Sequence, residues 1–72
     1  MHFNIYGRFQ VEVRREGERW VVYRLDNGRR ALMHDVVIPA NVEEGEIAIY
    51  LDDMFHELSG PGQRVALISQ GA

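Results

Sequence analysis

The histidines and acids of this chain are the first residues to test for chemistry. His56 follows Asp52 by four residues, so the two side chains are neighbours on one helix turn. That spacing can hold a metal ion if a third ligand is available. The pair lies opposite the apolar stripe of the predicted helix, on an open surface, where a solvated charge pair is the simpler interpretation. We therefore predict neither a metal site nor a cofactor.

The hydroxyl and glycine residues also lack the neighbours that catalysis requires. Ser59 lies at a helix end and Ser69 near the end of the chain, and neither has an adjacent histidine to act as a base. The run Gly60-Pro61-Gly62 ends a helix, whereas a phosphate-binding loop precedes one. These positions favour a protein that is not an enzyme.

Composition restricts the class of protein further. The 72 residues are 46% hydrophobic, carry a formal net charge of -3 and include no cysteine, which indicates one small globular domain without disulfides or zinc-thiolate sites. The longest apolar run, Ile47 to Leu51, is too short to span a membrane, and the first residues lack a secretory signal. We expect a cytoplasmic protein. Chains this short bury only about 60–65% of their surface, which favours self-association.

The elements that position these residues begin with a strand over about residues 2–14. Apolar and polar side chains alternate along it, as in a strand with one half-buried face. Gly7 interrupts the alternation and indicates a kink or a bulge. A three-residue loop, Arg15-Glu16-Gly17, then leads into a strand over about 18–26.

Strand pairing follows from the turns. With the loop placed at Arg15-Glu16-Gly17, Val11 lies opposite Val21 and Phe9 opposite Tyr23. Asn27-Gly28 predicts a type I′ hairpin turn before a third strand over about 29–34, in which Leu32 faces Tyr23.

The second half of the chain predicts one helix and one strand. Asn41 and Glu44 form a potential capping box, and apolar residues recur at helical spacing over about 42–59. A short strand follows over about 64–69, beside the first, and Gln70-Gly71-Ala72 is expected to fray. The fold class is α+β, with the order β-β-β-α-β and a single helix on one face of an antiparallel sheet.

A single helix leaves the other face of this sheet without a cover. In the predicted register that open face carries apolar residues at its centre and arginines around them, a composition typical of protein interfaces. Trp20 is the expected anchor of a homodimer, and Arg8 and Arg24 are rim contacts. The predicted interface consists of Trp20, Val22, Met33, Ala31, Tyr6, Arg8 and Arg24.

Single-stranded nucleic-acid binding by the same face is an alternative. Arg8, Arg24 and Arg29 would surround the aromatic rings of Trp20 and Tyr6, as on stacking platforms. The sequence pI of about 5.5 argues against nucleic acid as the partner.

Four runs carry a resemblance over nearly the whole chain. They are Tyr6-Gly-Arg-Phe9, Val11-Glu-Val-Arg-Arg-Glu-Gly17, Asp35-Val-Val-Ile-Pro39 and Tyr50-Leu-Asp-Asp-Met-Phe-His-Glu57. Together they resemble a family of small, uncharacterised bacterial proteins, a domain of unknown function of about this length. The resemblance implies a bacterial source and supplies no activity or site residues.

A looser likeness concerns the order of elements and the acidic start of the helix. In these respects the chain is similar to HicB-type antitoxins, which are dimerising proteins that neutralise an RNA-cleaving partner. The leading hypothesis is a non-enzymatic interaction module that forms a homodimer, with a heterologous protein partner as a further option. The antitoxin-like and nucleic-acid roles are its alternatives.

Overall fold

Three tight turns fold the first half of the chain into four antiparallel strands, and the second half supplies a helix and a fifth strand. The computed structural model describes residues 1–69, so the predicted fraying of Gln70-Gly71-Ala72 lies outside the described residues. The α+β class, with one helix on an antiparallel sheet, is confirmed. The strands are β1 (His2–Ile5), β2 (Phe9–Glu16), β3 (Arg19–Asp26), β4 (Arg29–Leu32) and β5 (Val65–Ser69), and the helix is α1 (Ile47–Phe55).

The single strand predicted over 2–14 is wrong, because the chain reverses at Tyr6-Gly7. Both residues have positive φ, 56° and 72°, and the amide of Arg8 donates to the carbonyl of Ile5 at 2.9 Å. Ile5 pairs with Phe9 across this turn, so both lie on one face. The alternation of apolar and polar residues therefore continues through the reversal, so the pattern alone does not show that the chain turns here.

The hairpin between β2 and β3 also differs from its prediction. Its two-residue turn is Gly17-Glu18, with Gly17 at φ 64° in the first central position, as a type II′ turn requires. Val11 consequently pairs with Arg24 rather than with Val21. That displacement is three residues, an odd number, so β3 presents the opposite set of side chains to the core.

The next hairpin agrees with the sequence. Asn27 and Gly28 have φ of 50° and 78°, and Tyr23 pairs with Leu32 as expected. The last strand also lies where it was predicted, with β5 antiparallel to β1. The sheet order is β4-β3-β2-β1-β5, which leaves β4 and β5 as its edges.

The helical segment is slightly shorter than predicted. Tight 3-10 turns at Glu44–Glu46 and His56–Leu58 flank α1, so the segment spans 44–58. The capping box expected at Asn41 and Glu44 is not formed, since neither the first 3-10 turn nor α1 receives a side-chain cap at its start. The segment that precedes it lies along the sheet and contributes Val36 and Ile38 to the core.

The core lies between α1 and one face of the sheet. Two residues of α1, Ile47 and Leu51, are fully buried against it. Each fully buried aliphatic side chain contributes about 1.5–3 kcal/mol to folding. The buried cluster comprises Phe3, Ile5, Tyr6, Val11, Val13, Val22, Val36, Ile38, Ile47 and Leu51.

Candidate functional site

The apolar patch predicted on the open face does not form, because its central residues face the helix side of the sheet. Val22 pairs with Val13 and is 1% exposed, as part of the core. Trp20 packs against the same core, and its indole Nε1 donates to the carbonyl of Val42 at 2.9 Å. Met33 is half-buried beside it, and its amide donates to the carbonyl of Val22 at 2.9 Å. The placement of all three on an open face was wrong, and the altered β2–β3 register is the reason.

Ala31 and Arg24 lie opposite each other at the far end of that same face. Ala31 is exposed there. The Arg24 guanidinium lies over the Phe9 ring, with its carbon 4.5 Å from the centroid. Phe9 in turn meets Phe55 edge to face, at 5.4 Å between centroids. Arg24 therefore covers an aromatic pair between the sheet and the helix, instead of forming the rim of an open-face contact.

Tyr6 and Arg8 hold the C-terminal part of the helical segment. Tyr6 is 2% exposed, and its hydroxyl donates to the carboxylate of Asp52 and to the Asp52 carbonyl. The Arg8 Nε donates to the Leu58 carbonyl at 2.8 Å, where a cation also interacts favourably with the helix dipole. These predicted interface residues link the first hairpin to the helix and do not share a surface with Trp20.

The nucleic-acid alternative required the rings of Trp20 and Tyr6 to share one open face, and in the structure they do not. A stacking platform needs exposed aromatic faces that share one surface. Tyr6 is buried at the first hairpin turn. The Trp20 ring is packed against the core on one side and lies 4.8 Å from the Arg15 guanidinium carbon. Tyr6 and Trp20 therefore do not form the predicted platform.

The true open face combines charged side chains with apolar ones such as Val21 and Leu32, and it is organised around Glu12. Although no helix covers it, Glu12 is only 6% exposed, since neighbouring side chains surround it. Its two carboxylate oxygens contact Arg30 at 3.0 Å and His2 at 3.3 Å. The Arg30 guanidinium also lies 5.0 Å from the Tyr23 ring centroid, and the Tyr23 hydroxyl donates to Glu16 at 2.7 Å. This charged network replaces the predicted apolar surface.

The two edge strands of the sheet differ in their charge. β4 is short and carries Arg29 and Arg30, a common protection against pairing with other chains. β5 has the sequence Val-Ala-Leu-Ile-Ser, without charge or proline. Leu67 is 45% exposed and Ile68 is 51% exposed. An uncharged, apolar edge of this kind is open to a further strand.

The backbone of β5 is oriented for such pairing. The Tyr6 amide donates to the Arg64 carbonyl at 3.2 Å, so the backbone groups of Arg64 face β1. Backbone groups alternate along an antiparallel strand, so those of Ala66 also face β1 while those of Val65 and Leu67 face outward. No strand within residues 1–69 pairs with that outer side. This edge was not predicted from the sequence, although the uncharged run 65–69 is its signal.

A comparison with protein families places this architecture among known sequences. A family model described as a domain of unknown function, DUF7661, matches residues 1–69. The chain belongs to the DUF7661 family. The resemblance to a small domain of unknown function is therefore confirmed, while the likeness to HicB-type antitoxins stays a prediction. No curated protein and no solved structure matches this chain.

The histidines of this DUF7661 chain do not converge on a reactive group. The His56 ring Nδ1 is 3.1 Å from the Asp53 carbonyl, and the Ser59 hydroxyl donates to the His56 carbonyl instead of its ring. Over residues 1–69 no three His, Asp or Glu side chains are grouped closely enough to hold a metal ion. In the same range, no helix has the length and hydropathy needed to cross a membrane.

Proposed function

We propose that this DUF7661 chain is a non-enzymatic protein-interaction module that self-associates by pairing the outer edge of β5 with β5 of a second copy. The observation that carries the proposal is the contrast between the two sheet edges. The arginines of β4 would meet like charges across a two-fold axis, which destabilises pairing. β5 has no charge that self-pairing would bring together.

The backbone supports one specific register. A two-fold axis at Ala66 places Val65 of each copy opposite Leu67 of the other. Both residues present outward amides and carbonyls, so the two pairs form four backbone hydrogen bonds. Each contributes about 0.5–1.5 kcal/mol. The small Ala66 side chain lies at the axis and allows close approach, and the two five-stranded sheets continue as one.

The helix side of β5 adds an apolar contact. The Leu67 side chain lines a shallow depression with Met1, Phe3 and Ala48 and remains partly open to solvent. In the paired register the Leu67 side chain meets Val65 of the other copy on this same face. Burial of apolar surface there reinforces the backbone bonds. Edge pairing buries less area than a helical interface, so we expect micromolar affinity.

Sedimentation velocity over a micromolar concentration series tests self-association. Wild-type protein should shift from monomer to dimer, and Leu67→Lys should weaken the dimer at least about tenfold by placing like charges beside the axis. Leu32→Lys is the matched control, because Leu32 is also 45% exposed and lies on the opposite edge strand.

Three results would overturn the proposal. A wild-type protein that remains monomeric throughout the series is the first. A dimer that Leu32→Lys and Leu67→Lys weaken equally is the second, since the contact would then not be specific to β5. Capture of a different protein by β5 in place of a second copy is the third.

A further inference from the structure

The pairing of β3 with β4 stops early and leaves a gap along β3. The Met33 amide still donates to the Val22 carbonyl, so the backbone groups of Val22 and, two residues before it, of Trp20 face the β4 side. A continued strand would bring residue 35 opposite Trp20. Instead, a turn closed by the Val36 amide and the Met33 carbonyl at 3.3 Å carries the chain away. The Trp20 amide and carbonyl therefore have no strand partner within residues 1–69.

The segment that leaves β4 is held at a distance from this edge. The Trp20 indole donates a hydrogen bond to the Val42 carbonyl. The Arg15 guanidinium donates to the Ala40 carbonyl at 2.9 Å. The Tyr50 hydroxyl donates to the Val37 carbonyl at 3.1 Å. These three bonds fix the far wall of a cleft along β3. Its volume is about 400 Å³, within the range of sites that hold small ligands or short peptides.

The lining of the cleft indicates the chemistry of an occupant. Trp20, Leu32, Val37 and Pro39 provide apolar surface, while Arg19 and His34 provide the polar groups at its side. No acidic residue lines it. Within residues 1–69 the Arg19 and His34 side chains form no ion pair or hydrogen bond. The Arg19 guanidinium is the one formal charge among these lining residues, and a cation without an acidic partner favours an occupant that carries a carboxylate.

We propose that this cleft binds an extended peptide segment that carries apolar side chains and a carboxylate. The segment adds to the edge of β3, exchanging backbone hydrogen bonds with the Trp20 amide and carbonyl. Its apolar side chain lies against the part of the Trp20 side chain that lines the cleft and against the 36–39 wall, and its carboxylate pairs with the Arg19 guanidinium. The site lies one strand in from the β4 edge, across the sheet from β5, so it is independent of self-association.

Titration with a short peptide tests this site. The probe is acetyl-Thr-Val-Asp-Val-Thr-amide, followed by fluorescence of the single tryptophan and by the NMR signals of the Trp20 backbone amide and indole. We expect both Trp20 signals to shift. Replacing Asp by Lys in the peptide, or methylating its valine amide nitrogens, should each weaken binding by about tenfold.

Charge reversal on the protein supplies the matched comparison. Arg19→Glu should weaken binding by about tenfold, whereas Arg29→Glu should leave it unchanged. Each arginine is the first residue of a strand after a two-residue turn, but only Arg19 lines the cleft. Any of three results overturns the proposal. The Trp20 signals do not shift, the two variants have equal effects on binding, or a single-stranded oligonucleotide binds in place of the peptide.

Discussion

The Trp20 indole and the Val42 carbonyl form a hydrogen bond of 2.9 Å that joins β3 to the segment entering the helical region. The two residues are 22 positions apart in the chain, so the bond fixes a long-range contact. It also holds one wall of the cleft along β3. The indole nitrogen thus contributes to stability rather than to an open binding face.

Replacing Trp20 with Phe should lower the free energy of unfolding by about 1–2 kcal/mol, because the Val42 carbonyl loses its donor. Urea unfolding followed by circular dichroism measures the change. Tyr50→Phe is the control, since it removes a more exposed hydroxyl-to-carbonyl bond from the same segment and should cost about 0.5 kcal/mol or less. Equal losses in the two variants would contradict a special role for the indole.

The buried Tyr6 hydroxyl should make stability fall in alkaline solution. Burial, the hydrogen bond to Asp52 and the charge of that carboxylate raise the pKa of Tyr6 from 10.0 to about 12. A group whose pKa is raised on folding stabilises the protein fully below its unfolded pKa. That stabilisation disappears as the pH rises through the folded value. We therefore expect the Tyr6 contribution to be complete below pH 10 and lost towards pH 12.

The variant Tyr6→Phe tests this expectation. Its unfolding free energy should be lower by about 1–3 kcal/mol at neutral pH, because a buried hydrogen bond is lost, and should decline less between pH 10 and pH 12. The difference between the near-ultraviolet absorbance titrations of wild type and variant isolates this one phenol. A difference curve centred at pH 10 would contradict the raised pKa.

The sequence predicted elements better than it predicted faces. Asn27-Gly28 identified its hairpin correctly, since both residues tolerate the positive φ of a type I′ turn. Gly17 was ambiguous, because its positive φ suits the last position of a three-residue loop and the first of a type II′ turn equally well. The sequence of β3 does not decide between the two turns. Val21 and Val22 lie on opposite faces of the strand, so either face could be the apolar one.

The candidate sites depended on this ambiguity. With Gly17 last in a three-residue loop, the pattern puts Trp20 and Val22 on the open face, whereas both belong to the core side of the sheet. The exposed apolar edge of β5 depends on sheet order, which periodicity alone does not specify. The cleft beside Trp20 depends on where β4 ends, a feature set by the turn between Met33 and Val36.

The carboxylate of Glu12 should make stability fall in acid. Burial raises the pKa of Glu12, but hydrogen bonds from Arg30 and His2 and their charges lower it more, so that it lies below its ordinary value of 4.5. A group whose pKa is depressed on folding stabilises the protein above its unfolded pKa. This contribution is lost as the pH falls through the folded value. We expect a decline that begins near pH 4.5 and continues below it.

Replacement of Glu12 by Gln should reduce this acid dependence and lower stability at neutral pH by about 1–3 kcal/mol, since Arg30 loses a charged acceptor. Urea midpoints measured across the acid range provide the comparison. Glu18→Gln is the control, because Glu18 is exposed in the Gly17-Glu18 turn and forms no salt bridge within residues 1–69. An acid profile that Glu12→Gln leaves unchanged would show that the network does not contribute.

Two glycines should respond to alanine with opposite signs. Gly17 has φ 64° with open space around its Cα, so Gly17→Ala meets no clash but must adopt a left-handed conformation. It should destabilise the hairpin by about 1 kcal/mol. Gly45 has no positive φ, lies in the Glu44–Glu46 turn and also has open space, so nothing in the structure requires glycine there. Gly45→Ala should raise stability by about 0.5–1 kcal/mol, because alanine loses less backbone entropy on folding.

Thermal unfolding of the two variants beside wild type measures both changes in one experiment. In a domain of this size, about 1 kcal/mol corresponds to roughly 4–8 °C in Tm. The expected order is therefore Gly45→Ala above wild type and Gly17→Ala below it. A stabilising Gly17→Ala would mean that the β2–β3 turn does not need positive φ at this position. The register that buries Val22 and turns Trp20 towards the helix would then need revision, because that turn sets it.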